Sequence, residues 1–346
     1  MAQDNSTPYD TAETQLSPLY WILVFAVCGI GLMSLEYVLR DRGFASGPHA
    51  SAAFWAYHRN LIEESDDDVI VLLGSSRVQT NVDVQQISQR LNQQVIQLAI
   101  AGSSPLPTIE NIATNSSFRG LLILSISPQH AFSIRPERIE KAQSYVNRFQ
   151  EYRNSPGNRW EFELDLRSWL LASARQDFNW RTSLNRVLSG DKAPRKEIYM
   201  QPTRQVRISD SRLGKRRGIK PEIPMVDRDH ALFLKIVDRY ATAVEAIQKR
   251  GGKVAVIRPP STGADFQRAG LSDTEKNHLP RKMFYDVLVA RLNVPSLHAE
   301  NDSIWGNLLT VDGSHLCQSD ANRFTSRLED WLVSTDLVKL PSNEQK

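Results

Sequence analysis

The sequence predicts a doubly wound α/β fold, with parallel strands between two layers of helices. Three observations predict it. Short β-branched and aliphatic runs recur along the chain and stop at Gly, Ser or Pro. Stretches with apolar residues at helical spacing lie between them. The first of the runs, Val69 to Leu73, is also apolar without alternation, which suits a strand covered on both faces.

Taken in order, residues 1–17 form a polar, acidic tail without Lys or Arg, and disorder is expected there. From Pro18 to Leu35 no charge occurs. With Glu36 at the interface, residues 18–39 reach the roughly 20 needed to cross a bilayer. Tyr20 and Trp21 mark one interface and Tyr37 and Arg40 the other. The alternatives are a buried helix or a cleaved signal, and a signal's basic leading region is missing. Residues 40–67 are juxtamembrane. Within them Phe54, Trp55, Tyr57 and Leu61 can form an amphipathic helix lying on the membrane or packing under the domain, and an acidic turn follows from Glu63 to Asp68.

The α/β domain then spans 68–335. Val69–Leu73 is the first strand, followed by Gly74-Ser75-Ser76-Arg77. Asp83 caps a helix to Leu91, with Val84, Ile87 and Leu91 on one side. Val95–Ile100 is the second strand, Pro107–Asn115 a helix and Gly120–Ile126 the third strand, which ends at Ser127-Pro128-Gln129. Residues 135–227 interrupt the alternation with aromatic helical pieces, including Trp160, Trp169 and Trp180, and read as an insertion or lid. A basic stretch closes it, from Lys192 to Lys220, with Arg195, Lys196, Arg204, Arg207, Arg212, Lys215, Arg216 and Arg217. Such a run is either a solvated loop or a dock for anionic polymer or lipid headgroups. A helix over 229–249 ends at Gly251-Gly252, and Lys253–Ile257 is the fourth strand, stopping at Arg258-Pro259-Pro260. Lys276–Leu292 is helical, Val294–Leu297 a fifth strand, Asp320–Leu332 a closing helix and 336–346 a tail.

With 346 residues, 41% hydrophobic and 23% charged, the chain can bury a sizeable core. A net charge of +3 does not point to nucleic acid. Cys28 and Cys317 sit too differently to pair, and neither they nor the histidines have metal-type spacing, so no metal or cofactor is expected.

Ligands of open α/β sheets bind at the carboxyl ends of the strands. Gly74-Ser75-Ser76 and Gly102 fall there, and Asp312-Gly313-Ser314-His315-Leu316 precedes the last helix. Acyl transfer needs a nucleophilic oxygen, a base, a group to orient the base and donors for the oxyanion. Ser76 can be the nucleophile, His315 the base and Asp312 its partner, with the amides of Ser76 and Gly102 as donors. Ser75 replaces Ser76 if the turn slips by one residue.

These blocks resemble the SGNH (GDSL-like) hydrolase superfamily. Its Gly-Asp-Ser block is matched by Gly74-Ser75-Ser76, its second-block glycine by Gly102 and its Asp-x-x-His-Leu block by Asp312 to Leu316. The resemblance covers most of 68–128 and 230–335. It implies a flavodoxin-like three-layer α/β/α sheet, with Ser76 as nucleophile, His315 as base, Asp312 as orienter and Gly102 as oxyanion donor. The third-block asparagine is absent after the third strand. Ser127, Gln129, Arg77 and Arg258 are candidates to replace it or to bind substrate.

The Gly-Ser-Ser variant and the anchor look like the envelope branch of that superfamily. That branch implies a membrane-anchored serine acyltransferase or esterase acting on O-acyl, chiefly acetyl, groups of a cell-envelope polysaccharide beside a membrane-bound O-acyltransferase. The alternative is a non-catalytic scaffold that binds the polysaccharide or that partner. A third reading, a phosphate-binding α/β domain, lacks the P-loop lysine. The function implies an extracytoplasmic domain, whereas Arg40, Arg42 and Arg59 after the span argue for the cytoplasm.

Overall fold

A computed structural model describes residues 17–154, 170–174, 188, 198–212, 230–262, 269–270 and 281–341. The chain divides into two units, Met1–Phe44 and Ala45–Lys346. The first consists of one described helix, α1 (Pro18–Asp41), whose Leu19, Trp21, Phe25, Ile30 and Met33 are exposed. By length and composition α1 is able to cross a membrane, a property that an anchor and a signal sequence share.

The second unit is a parallel α/β body. Its elements run α2 (Ala52–Leu61), β1 (Ile70–Leu73), α3 (Ser76–Asn81), α4 (Val84–Leu91), β2 (Val95–Gln97), α5 (Leu106–Asn115), β3 (Leu121–Ser125), α6 (Pro128–Ala131) and α7 (Pro136–Asn154). A hairpin follows, β4 (Ile198–Met200) and β5 (Val206–Ile208). Then come α8 (His230–Lys249), β6 (Lys253–Arg258), α9 (Tyr285–Leu292), β7 (Ser296–His298), α10 (Ser303–Gly306) and α11 (Gln318–Ser334). The main sheet has the order β2-β1-β3-β6-β7, with every neighbouring pair parallel. This is the flavodoxin-like order, and the chain reverses direction across the sheet between β1 and β3.

Alternation within each strand sorts side chains into two cores. Val71, Leu73, Leu122, Leu124, Val254 and Val256 face α2, α5, α7, α8 and α9. Ile70, Leu72, Leu121, Ile123, Ala255 and Ile257 face α3, α4, α10 and α11. Each fully buried aliphatic side chain contributes about 1.5–3 kcal/mol. Asp83 caps α4 as expected, its Oδ1 accepting from the amides of Gln85 and Gln86 at 3.1 Å each. α8 ends at Lys249, two residues before Gly251, which has φ +98°.

Three segments bear on alternatives that the sequence leaves open, and α2 takes one of its two, packing under the domain. The juxtamembrane helix α2 is packed into the body, with Trp55 Nε1 donating to Leu98 O at 2.9 Å. Its Arg59 is fully buried, bonded to Asn111 Oδ1 (2.9 Å) and Glu63 Oε1 (2.6 Å) beneath the Phe149 ring. α7, the opening of the expected insertion, is likewise no separate lid, because Ala142, Val146, Phe149 and Tyr152 join the main core. Residue 276–280 of the expected 276–292 helix and Trp160, Trp169 and Trp180 lie outside the described residues; the described helix begins at Tyr285.

The basic stretch is the third. Arg195, Lys196 and Lys215 to Arg217 lie outside the described residues, but Arg204 points inward. It adopts φ +63° in the β4–β5 turn and donates from Nη1 to Gln97 O (2.7 Å) and from Nη2 to Ala99 O (3.1 Å). Gln97 ends β2, the edge strand, and Ala99 lies just beyond it, so the guanidinium covers an edge that no described strand pairs. Arg207 reaches Asp83 Oδ2 at 3.1 Å, and Gln205 Oε1 accepts from the Val84 amide at 3.2 Å. Burial and the Arg204 charge hold the neighbouring His58 down to about 3, so its ring is neutral at neutral pH. Replacing Arg204 with Ala removes two charge-assisted bonds and leaves a void. We expect a loss of about 3 kcal/mol by urea denaturation. Arg207→Ala, which breaks a partly exposed pair, is expected to cost under about 1 kcal/mol.

Candidate active site

The first strand ends in a close approach. A side chain at Gly74 would lie 2.9 Å from both Ser125 Cβ and Ser125 O and 3.0 Å from Val78 Cγ1. Only glycine lets the end of β1 lie against β3 there. The chain then turns directly into α3, whose first residue is Ser76. Ser76 is half-buried, whereas Ser75 is buried and its hydroxyl donates to Ser127 Oγ at 3.0 Å. Of the two serines, Ser76 is the accessible one.

The Asp-Gly-Ser-His turn is held by its own chemistry. An antiparallel bridge joins Thr310 to Leu316, and Val311 N donates to His315 O at 2.8 Å. Gly313 takes φ +92°, which favours glycine. Asp312 Oδ1 accepts from the amides of Ser314 (3.1 Å) and His315 (3.0 Å), a local turn that explains the three-residue spacing. Its other oxygen, Oδ2, is thereby aimed at His315 Nδ1, 2.7 Å away. Leu316 anchors the turn in the core.

These two segments, 239 residues apart, meet at His315 Nε2, which lies 2.8 Å from Ser76 Oγ. With the Nδ1 proton donated to Asp312, Nε2 is left as the acceptor for the serine hydroxyl; this tautomer follows from the hydrogen-bond partners. Burial alone would raise the Asp312 pKa. The His315 ring and the two turn amides outweigh it and bring the carboxyl down to about 2.

Gly102 sits at the end of the second strand segment with φ +71°, exposed, where a side chain would meet only Lys141 Nζ, 4.0 Å away. Its loop is held from α7: Lys141 Nζ donates to Ala101 O at 2.7 Å and the Ser104 amide to Arg138 O at 3.2 Å. The start of the expected insertion therefore supports this loop. Among the described residues the Gly102 amide donates to no protein acceptor.

The remaining candidates stand differently. Arg77 is 4% exposed and Arg258 wholly buried. Arg258 is turned back on its own loop, bonding Pro259 O and Ser261 Oγ. Ser127 is buried and accepts from Ser75, while Gln129 is half-buried with its carbonyl bonded by Arg138. Among the described residues no cluster suited to a metal ion occurs.

Two residues stand at the site to which the sequence assigns no role. Ser314 Oγ lies 3.1 Å from His315 Nδ1 and 3.3 Å from Asp312 Oδ1. Asn81, the last residue of α3, accepts from the Leu316 amide at 3.0 Å. The Asp-Gly-Ser turn signal could have suggested Ser314; no local spacing marks Asn81.

The fold and site together define a parallel α/β protein with a Ser–His–Asp hydrogen-bonded chain beside the carboxyl end of its first strand. A scan against family models and a search of curated proteins each found no match. Among solved structures, TesA matches with a TM-score of 0.35 and 10% identity, covering 78% of this chain and 100% of that one.

Proposed function

We propose that the protein is a membrane-anchored serine esterase or acyltransferase of SGNH type. The observation that supports this most is the unbroken chain Asp312–His315–Ser76, with links of 2.7 and 2.8 Å. Ser76 Oγ attacks an ester carbonyl while His315 Nε2 takes its proton, and Asp312 stabilises the imidazolium. The same proton passes to the departing alcohol, leaving an acyl-serine. Water or an acceptor hydroxyl then gives its proton to His315 and takes the acyl group, restoring Ser76. The amides of Ser76 and Gly102 serve as oxyanion donors.

The acyl group is an O-acetyl or related group of a cell-envelope polysaccharide, and α1 retains the body at the membrane, on its extracytoplasmic side, beside a membrane-bound O-acyltransferase. The test is to mix the full chain with an acetylated envelope polysaccharide, quench in acid and analyse the peptides by mass. Acetate release or transfer with acetyl on the Ser76 peptide is expected. Acetyl loss without modification at Ser76 would refute the acyl-serine route.

One observation favours a second reading, a non-catalytic scaffold binding the polysaccharide or the acyltransferase. β3 is followed by Ser127-Pro128-Gln129, with no asparagine donor. Loss of one oxyanion donor costs on the order of 3 kcal/mol in the barrier. Turnover on the catalytic reading is therefore slow but serine-dependent; on the scaffold reading there is none.

A further inference from the structure

Asn81 is fully buried, five positions beyond the nucleophile at the far end of the short helix α3. Its Oδ1 accepts from the Leu316 amide at 3.0 Å and lies 2.8 Å from Thr80 Oγ1. Leu316 follows His315 directly and is itself buried. Because α3 is a single hydrogen-bonded unit, Ser76, Asn81, Leu316 and His315 form a closed ring of contacts that ends at the 2.8 Å approach of Nε2 to Ser76 Oγ. The local bonds of the Thr310–Leu316 turn fix its shape but not where it sits against α3. Besides the His315–Ser76 contact itself, the Asn81 carboxamide is a polar tie that joins the two among the described residues.

We propose that Asn81 is a positioning residue, its carboxamide oxygen holding the Asp312–His315 turn in register with Ser76. This rests on the acyl-transfer reading of the site. The other end of the amide makes the assignment testable: Nδ2 is buried with no acceptor, so the positioning belongs to Oδ1 alone. An aspartate keeps an acceptor for the Leu316 amide and discards the orphan donor. Alanine or leucine removes the acceptor and strands that amide in the interior. A displacement near 1 Å between nucleophile and base is worth up to about 100-fold in rate.

The test compares the full chain in detergent with Asn81→Asp, Asn81→Ala, Asn81→Leu and Ser76→Ala. It uses p-nitrophenyl acetate turnover, fluorophosphonate labelling rate, thermal melting and a crystal structure of each folded variant. We expect Asn81→Ala and Asn81→Leu to lower kcat about 30-fold or more with KM little changed, and Ser76 Oγ to stand beyond 3.5 Å from Nε2. Asn81→Asp should recover at least about 10-fold of that loss, and the short Ser76–His315 contact. An Asp variant as impaired as Ala, or an Ala or Leu variant with unchanged kcat and contact, overturns the inference. So does failure of both Ala and Leu variants to fold, which would make Asn81 a folding residue. Wild-type turnover or labelling that survives Ser76→Ala, or is absent altogether, instead defeats the acyl-transfer reading; the crystallographic distances then still report whether Asn81 sets the geometry.

Discussion

Replacing Ser76 with Ala should abolish covalent labelling by a fluorophosphonate and lower acetyl-ester turnover by at least about 1,000-fold. In serine hydrolases that act through an acyl intermediate, loss of the nucleophile alone costs about as much as loss of the whole triad. The control is the neighbouring serine. Ser75 is 2% exposed and spends its hydroxyl on Ser127, so Ser75→Ala should remain labelled, within about tenfold of wild type. Labelling lost from Ser75→Ala and kept in Ser76→Ala would move the nucleophile by one position. Labelling lost from neither would leave the scaffold reading standing. The experiment suits the full chain in detergent, since the probe needs no polysaccharide.

Asp312→Asn carries the second large effect. The carboxylate has two tasks: one oxygen closes the turn through the Ser314 and His315 amides, and the other accepts from His315 Nδ1. Asparagine can keep the first task through its carbonyl oxygen. It can meet Nδ1 with a donor, which favours the tautomer that turns an N–H toward Ser76. In a serine-protease triad the equivalent change costs about 10⁴ in kcat with geometry intact, and we expect about 10³–10⁴ here. Near-native KM and circular dichroism would accompany it. A loss below about tenfold would show that Asp312 is not the orienting group.

The same carboxyl contributes to acid stability, with a definite sign. In the folded chain it titrates at about 2, below its ordinary 3.8. Its contribution is therefore complete above about pH 4 and lost as pH falls through about 2, because the unfolded chain takes up the proton first. Urea midpoints measured from pH 5 down to 2 should fall less steeply in Asp312→Asn than in wild type.

Much of the body could be read from local pattern. The strands announced themselves as short apolar runs, and Asp83 and Gly251 marked helix ends that the structure reproduces. The Asp-Gly-Ser-His turn was legible for the same reason, since Asp312 satisfies the Ser314 and His315 amides within four residues. α3 was not separated out. Six residues carry too little periodicity, and the Ser75 side chain does not cap its start. The depth of three arginines was not legible in the sequence. Arg59 entered the sequence reading only as a positive charge after the span, Arg204 as part of a basic run and Arg258 as a substrate-binding candidate, and each is buried. A guanidinium enters the interior when carbonyls or carboxamides receive it. Besides the nearby Glu63, Arg59 finds an acceptor 52 residues away in Asn111, and both acceptors of Arg204 lie more than 100 residues away.

By itself the sequence determined what depends on neighbours a few residues apart: the parallel α/β alternation, the glycine turns, the apolar span of α1 and the aim of the Asp312 carboxylate at its own histidine. Only the tertiary structure decided that His315 Nε2 comes within 2.8 Å of Ser76, that Asn81 ties their two segments, and that the β4–β5 hairpin grips the edge of β2 through Arg204. The first group follows from backbone geometry and periodicity, which act over one or two turns of chain. The second depends on which buried donors find acceptors once the layers close, and that is settled between residues more than 100 positions apart.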